Sequence, residues 1–254
     1  MIERDLDGVV VLDPALKEGL SARLKLTRAA AQRIRVLPHG IGDPVEISSK
    51  SEARRRLGLE SAETVFLVFG ILRKDKRIDL AIEAAKALAD SRLVIAGGPH
   101  DFTEAAVKEL IHRHECESSV LADIGYVPEE KMHAYFSACD AVVIPYDRSF
   151  KGLSGILTLA CGHGKPVIAS NVSLLGETVR QRQIGFAVEP DSASALTNGM
   201  LQFLSMATQE RVEMEQRVRD YAASMSWDSV CRHWLEFYQD LLKRRKSLMS
   251  SGYS

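Results

Sequence analysis

The sequence predicts an α/β fold: a doubly wound parallel sheet followed by C-terminal helices. Three patterns carry that reading. Short aliphatic and β-branched runs recur through the middle of the chain, and several lack alternation, as do strands buried on both faces. Stretches with apolar side chains at helical spacing separate them. Beyond Asp191 the strand-like runs stop and helical spacing alone remains. Strand–helix alternation of this kind builds parallel βαβ units under a cover of helices.

In chain order, residues 9–12 form a strand-like run, and a helix is expected from about Pro14. Strands are predicted at 34–37, 65–69, 93–96, 120–124, 141–144, 167–169 and 186–188. From Ile78 to Leu88 the apolar side chains share a helical face. Pro128, as a first helical residue, opens another helix with Met132, Tyr135 and Phe136. Helices are predicted near 192–205 and 207–223. A last one starts after the N-cap Ser226 and sets Trp227, Val230, Trp234, Phe237, Tyr238 and Leu241 on one stripe.

Composition narrows the function classes. A chain of 254 residues, 46% hydrophobic and 26% charged, has the make-up of a soluble globular protein with a sizeable core. With 33 basic and 34 acidic side chains it lacks the basic excess of a nucleic-acid binder, although a local basic pocket can hide in a neutral total. Cys116, Cys139, Cys161 and Cys231 form no C-x-x-C pair, which argues against a zinc ribbon or a thioredoxin-type site and suits a reducing compartment. The apolar run 8–12 is too short for a signal segment or a membrane span, so a cytoplasmic location is expected. Lys243, Arg244, Arg245 and Lys246 read either as cations complementing a helix C-terminus or as a peripheral membrane contact.

In an open α/β sheet, ligands bind outside the carboxyl ends of the strands, so the loops after the runs are the place to look. After Phe69 come Gly70 and then Arg73, Lys74, Asp75, Lys76 and Arg77. The glycine lets backbone approach a ligand and the cations suit an anion; a solvated charged turn is the alternative. After the run at 141–144, Ser154 and Gly155 start a small-residue helix that ends at 162–164. Its N-terminal amides offer an anion site, while its apolar body packs on the sheet. Gly125-Tyr126-Val127-Pro128 is an ordinary strand-to-helix turn by itself. Pro38-His39-Gly40 carries a histidine that reads more simply as a local hydrogen-bonder. There is no P-loop, no G-x-G-x-x-G and no G-x-S-x-G elbow. The Asp5/Asp7 pair and His112/His114 do not read as metal ligands.

The ordered set of these loops resembles the C-terminal, donor-binding domain of group 1 glycosyltransferases over roughly residues 30–225. The residues that carry it are Arg35-Val-Leu-Pro-His39-Gly40-Ile, Phe69-Gly70-Ile-Leu-Arg73-Lys-Asp-Lys76, Leu93-Val-Ile-Ala-Gly97-Gly98, Gly125-Tyr-Val127-Pro, Asp140-Ala-Val-Val-Ile-Pro145-Tyr, Ser154-Gly155-Ile-Leu and Gly164-Lys-Pro166-Val-Ile-Ala-Ser. The resemblance implies a Rossmann-like domain, half of a GT-B architecture, and a retaining transfer from a nucleoside-diphosphate sugar, with no metal or other cofactor. It assigns Arg73 and Lys76 to the diphosphate as the catalytic cations. Donor binding is assigned to His39, Gly40, Gly70, Tyr126, Val127, Leu153, Ser154, Gly155 and Ile156. Two glutamates that most members carry are replaced by Lys151 and Leu159, as in the Ser-Gly-x-Leu branch of the family. The domain reading that follows is 1–24 as the remnant of an N-terminal domain or linker, 25–225 as the nucleotide-sugar domain, and 226–254 as closing helix and tail. The expected partners are a nucleotide-sugar and either a separate N-terminal GT-B half or a second copy at the exposed cleft. The alternatives are a non-catalytic nucleotide-sugar-binding subunit, or an epimerase or phosphorylase relative.

Overall fold

The computed structural model describes residues 6–42, 48–59, 63–88 and 90–251. Its first elements are β1 (Val9–Val11), α1 (Pro14–Arg23), α2 (Arg28–Ala31), β2 (Ile34–Val36), α3 (Lys50–Arg56), β3 (Thr64–Phe69), a 3-10 turn (Lys74–Lys76), α4 (Ile78–Ala85), β4 (Ser91–Gly97) and α5 (Glu104–Arg113). Then follow β5 (Val120–Ile124), α6 (Glu129–Ala138), β6 (Ala141–Ile144), α7 (Gly155–Gly162), β7 (Val167–Ser170), α8 (Ser173–Arg182), β8 (Gly185–Val188), α9 (Ala193–Ser205), α10 (Thr208–Ser224) and α11 (Trp227–Ser251). They fall into two compact units: residues 43–222, and residues 1–42 with 223–254.

The larger unit is a six-stranded parallel sheet in the order β5-β4-β3-β6-β7-β8. One side packs Phe66, Val68, Leu93, Ile95, Val143 and Ile168 against Ile78 and Ile82 of α4, Val107 of α5, and Met200 and Phe203 of α9. The intervening residues Val65, Leu67, Val94, Val142 and Ile144 are buried too. Burial on both faces is why the runs are continuously apolar rather than alternating. Each such side chain contributes about 1.5–3 kcal/mol on leaving water. At the opposite, amino end of β3, Arg54 of α3 is buried and bonds Asp140 (Nη2–Oδ2 2.6 Å) and the Ala138 carbonyl (3.0 Å). Asp140 also accepts from the Val65 amide at 2.7 Å, so this ion pair ties α3 to β3.

Strand order reverses beside β3. From β3 the chain winds outward through β4 to β5, then returns to place β6 on the other side of β3. The loops after β3 and β6 therefore leave the sheet side by side, and a crevice opens between them. Two glycines shape this point. Gly70 has φ +101° and Gly97 has φ +149°, and a Cβ on Gly97 would lie 2.2 Å from the Gly70 carbonyl oxygen. The Gly70 amide donates to the Ala96 carbonyl at 2.9 Å, and the Gly125 amide to that of Gly97 at 3.0 Å.

In the smaller unit β1 and β2 pair in parallel, Val9 against Ile34 and Val11 against Val36. The run at 34–37 thus belongs to a separate two-stranded sheet, not to the large sheet the alternation implied. Ser226 caps α11, accepting from the Ser229 amide at 3.2 Å. The stripe expected on α11 is split. Val230 and Phe237 are buried and Trp234 and Leu241 half-buried, whereas Tyr238 is 53% exposed. Lys243–Lys246 stop short of the last turn, because α11 runs on to Ser251, so they do not serve as C-terminal dipole partners. Pro128 occupies the N-cap of α6 rather than its first turn. Asp5 lies outside the described residues.

Replacing Gly97 with alanine forces a Cβ into the Gly70 carbonyl. We expect a loss of about 3 kcal/mol or more, read as a lower urea midpoint with unchanged slope.

Candidate active site

The crevice between the β3 and β6 loops holds a cavity of about 590 Å³. Arg73, Asp75 and Lys76 line it from one side, and Tyr146, Lys151, Leu153, Ser154, Gly155 and Ile156 are among the residues lining it from the other. The fold thus brings together Arg73, Lys76, Leu153, Ser154, Gly155 and Ile156, which lie far apart in sequence.

Lys76 is 6% exposed, and its ammonium donates to the Phe69 carbonyl at 3.3 Å. Gly70 leaves room for that side chain: a Cβ there would sit 2.8 Å from Lys76 Nζ and 3.2 Å from Ile156 Cδ1. Burial, reinforced by the Arg73 charge, pushes the Lys76 amine down to about 8. Among the described residues no carboxylate forms an ion pair with it. Arg73 is half-exposed and forks onto Asp75, Nε to Oδ1 at 2.9 Å and Nη2 to Oδ2 at 2.8 Å. This pairing holds the Arg73 guanidinium above its ordinary value. A desolvated cation without a counter-ion, beside a guanidinium already oriented, is an arrangement that an entering anion relieves.

Across the cavity, Ser154 is buried and caps α7, accepting from the Leu157 amide at 3.2 Å. It also donates to the Tyr146 hydroxyl at 3.4 Å. With Ser154 so engaged, the first-turn amides of Gly155 and Ile156 lie at the cavity wall, and the positive end of the helix faces the two cations. Lys151 adds a third cation to the lining. Leu159 lies on α7 and is not among the lining residues.

The remaining expected residues lie elsewhere. Tyr126 and Val127 follow β5 at the sheet edge and do not line the cavity; Tyr126 is 90% exposed. His39 and Gly40 belong to the smaller unit. There the His39 ring lies 5.1 Å from that of Trp227, and a Cβ on Gly40 would come 2.3 Å from the Trp227 ring. His39 Nδ1 is buried without a hydrogen-bond partner among the described residues. Trp234 Nε1 donates to the Pro38 carbonyl at 3.0 Å, fixing the same turn.

Among the described residues no three His, Cys, Asp or Glu side chains group so as to hold a metal ion. No helix of those residues is long and apolar enough to cross a membrane. Sequence reasoning passed over Tyr146, a buried aromatic wall of the cavity, because it read as the end of a strand run.

Residues 49–225 match the family model described as glycosyl transferases, group 1. A D-inositol 3-phosphate glycosyltransferase of Acidothermus cellulolyticus is 26% identical over 237 residues, covering 86% of this chain and 50% of the relative. The chain therefore spans about half the length of the curated relatives it matches. Among solved structures, Anabaena HepE in complex with UDP superposes with a TM-score of 0.79 at 20% identity, over 93% of this chain and 65% of that one. Sucrose-phosphate synthase of Thermosynechococcus elongatus superposes with a TM-score of 0.75 at 24% identity, over 94% and 59%.

If Lys76 meets an anion, the affinity of the site for a nucleoside diphosphate depends on its proton. The amine is charged below about pH 8 and neutral above it, so binding weakens as pH rises through that value. We expect UDP affinity measured by calorimetry to fall by up to about tenfold per pH unit on the alkaline side. Lys76→Arg should flatten the profile.

Proposed function

The chain belongs to the group 1 glycosyltransferases, and from that premise we propose that its cavity binds the diphosphate of a nucleoside-diphosphate sugar and promotes transfer of the sugar with retention of anomeric configuration. One observation carries this reading: Arg73, Lys76 and the N-terminus of α7 converge on one cavity at the point where strand order reverses. As the bond from the anomeric carbon to the diphosphate oxygen breaks, its electron pair stays on that oxygen. Negative charge therefore grows where the ammonium, the guanidinium and the amides stand. Such groups stabilise the transition state more than the ground state. Lys76 needs little reorganisation, because burial and the Phe69 carbonyl already hold it.

The neighbour solved with UDP supports a uridine nucleotide as the first donor to try. Tyr126 and Val127 are assigned to the base through the family resemblance, and His39 and Gly40 to the donor. No metal is assigned to the reaction, since the cations of the chain supply the charge. The relatives are about twice as long as the matched region, and we assign the acceptor site to a second GT-B half.

Two charge-assisted contacts at about 1.5–3 kcal/mol each predict that Arg73→Ala/Lys76→Ala weakens UDP binding at least about a hundredfold. Calorimetry with UDP, GDP and ADP checks this. A chain that binds none of them, or a double variant that binds as tightly as the parent, overturns the reading. Release of free sugar from the bound donor, followed by proton NMR, separates an enzyme from a non-catalytic binding subunit. The anomer released first reports retention or inversion.

A further inference from the structure

The residue after Lys76 has a backbone that a side chain rarely adopts. Arg77 has φ +44°, in the left-handed region, and it closes the 3-10 turn that carries Lys76, its amide donating to the Lys74 carbonyl at 3.2 Å. Asp191, between β8 and α9, has φ +58°. These two non-glycine residues are bonded to each other, Arg77 Nη1 to Asp191 Oδ1. The second oxygen of Asp191 accepts from the Arg148 amide at 3.2 Å, in the β6–α7 loop. The Arg148 guanidinium also reaches Asp191, at 3.6 Å, and Glu189, at 2.5 Å. One residue further back, the Asp147 amide donates to the Asp75 carbonyl at 2.9 Å. Asp79 completes the charges around Arg77, at 3.0 Å.

Left-handed backbone costs a non-glycine residue about 1–3 kcal/mol, and it persists where the surroundings over-determine it. Glycine would adopt either conformation freely. At both positions the chain instead carries a charged side chain, and the two charges are complementary. The pair is about three-quarters buried, with side chains 25% and 29% exposed, so water screens it less than a surface ion pair.

We propose that Asp191 is a positioning residue: through Arg77 and the Arg148 amide it clamps the β3 and β6 loops together and so holds Lys76 at the diphosphate end of the cavity. The proposal rests on the donor-site reading above. Asp191 touches no substrate; it acts by fixing the chain on both sides of the cavity. The clamp couples a third strand end, that of β8, to a site lined by the other two.

Glycine variants open the clamp without straining the backbone, because glycine keeps the left-handed path; Arg77→Gly also removes the Asp79 contact and Asp191→Gly those to Arg148. Arg77→Gly, Asp191→Gly and the double variant are compared with the parent for UDP affinity by calorimetry between about pH 6.5 and 9.5, and for thermal midpoint. Asp191→Asn, which keeps the shape and removes the charge, is the second variant should a glycine variant fail to fold. Each single change is expected to weaken UDP binding about tenfold, and the double change to add little to either. The alkaline fall in affinity should also move to higher pH, since a Lys76 freed from its seat becomes hydrated. Singles that bind as the parent does, effects that multiply in the double variant, or weaker binding with an unmoved pH profile would each overturn the clamp. A parent that binds none of UDP, GDP and ADP fails the donor-site reading first and takes the clamp with it. A parent that binds alongside unaffected variants fails the clamp alone.

Discussion

The close passage of Gly70 against Gly97 is the constraint on which the site depends. Two adjacent parallel strands end together, and the backbone of one turns across the end of the other at a distance no Cβ allows. Past the Gly70–Ala96 bond the pairing continues only as an isolated bridge, the Leu72 amide donating to the Gly98 carbonyl at 2.8 Å, before the chain turns over the sheet. Residues 74–76 then fold back as a 3-10 turn, and Lys76 returns over Gly70 to reach the Phe69 carbonyl. A Cβ on Gly70 would press on the ammonium at 2.8 Å, and one on Gly97 would strike the backbone of Gly70. Packing and chemistry are therefore one constraint here.

Electrostatics in this molecule is local. The formal net charge is −1, yet the lining side chains carry three cations, Arg73, Lys76 and Lys151, and one acid, Asp75, which already bonds Arg73. The buried ion pair at the far end of the sheet, Arg54 with Asp140, shows the opposite use of charge. There every group is matched, and the pair holds α3 in place. Lys76 differs in lacking a carboxylate partner among the described residues, and an unmatched buried charge is what marks a binding site rather than a strut.

The parts legible in the sequence were those that depend on local pattern. Six of the seven predicted middle strands form the sheet; burial on both faces leaves a nearly continuous apolar run at the four inner ones, while the edge strands β5 and β8 are mostly half-buried. The Ser154 cap and the glycine at 70 were visible for the same reason: each is needed by a neighbour a few residues away. Residues 34–37 looked no different, yet they pair with β1 in another unit, since an apolar run does not specify its partner. Tyr238 sits at helical spacing from Trp234 and Leu241, but a quarter-turn away from the seam that Val230 and Phe237 bury, so periodicity alone misplaced it. The Arg77–Asp191 pair joins residues 114 positions apart and carried no sequence signal beyond its charges.

The make-up of the cavity lining points the same way as its geometry. Among the described residues Asp75 is the one carboxylate that lines the cavity, and Lys151 lines it as a cation. A carboxylate accepts hydrogen bonds, whereas a lysine only donates them. For an entering anion, a lysine at this wall is an attractive charge where an acid would be a repulsive one. Among the described residues the lining therefore favours an anion, with three cations set against one acid that already bonds Arg73.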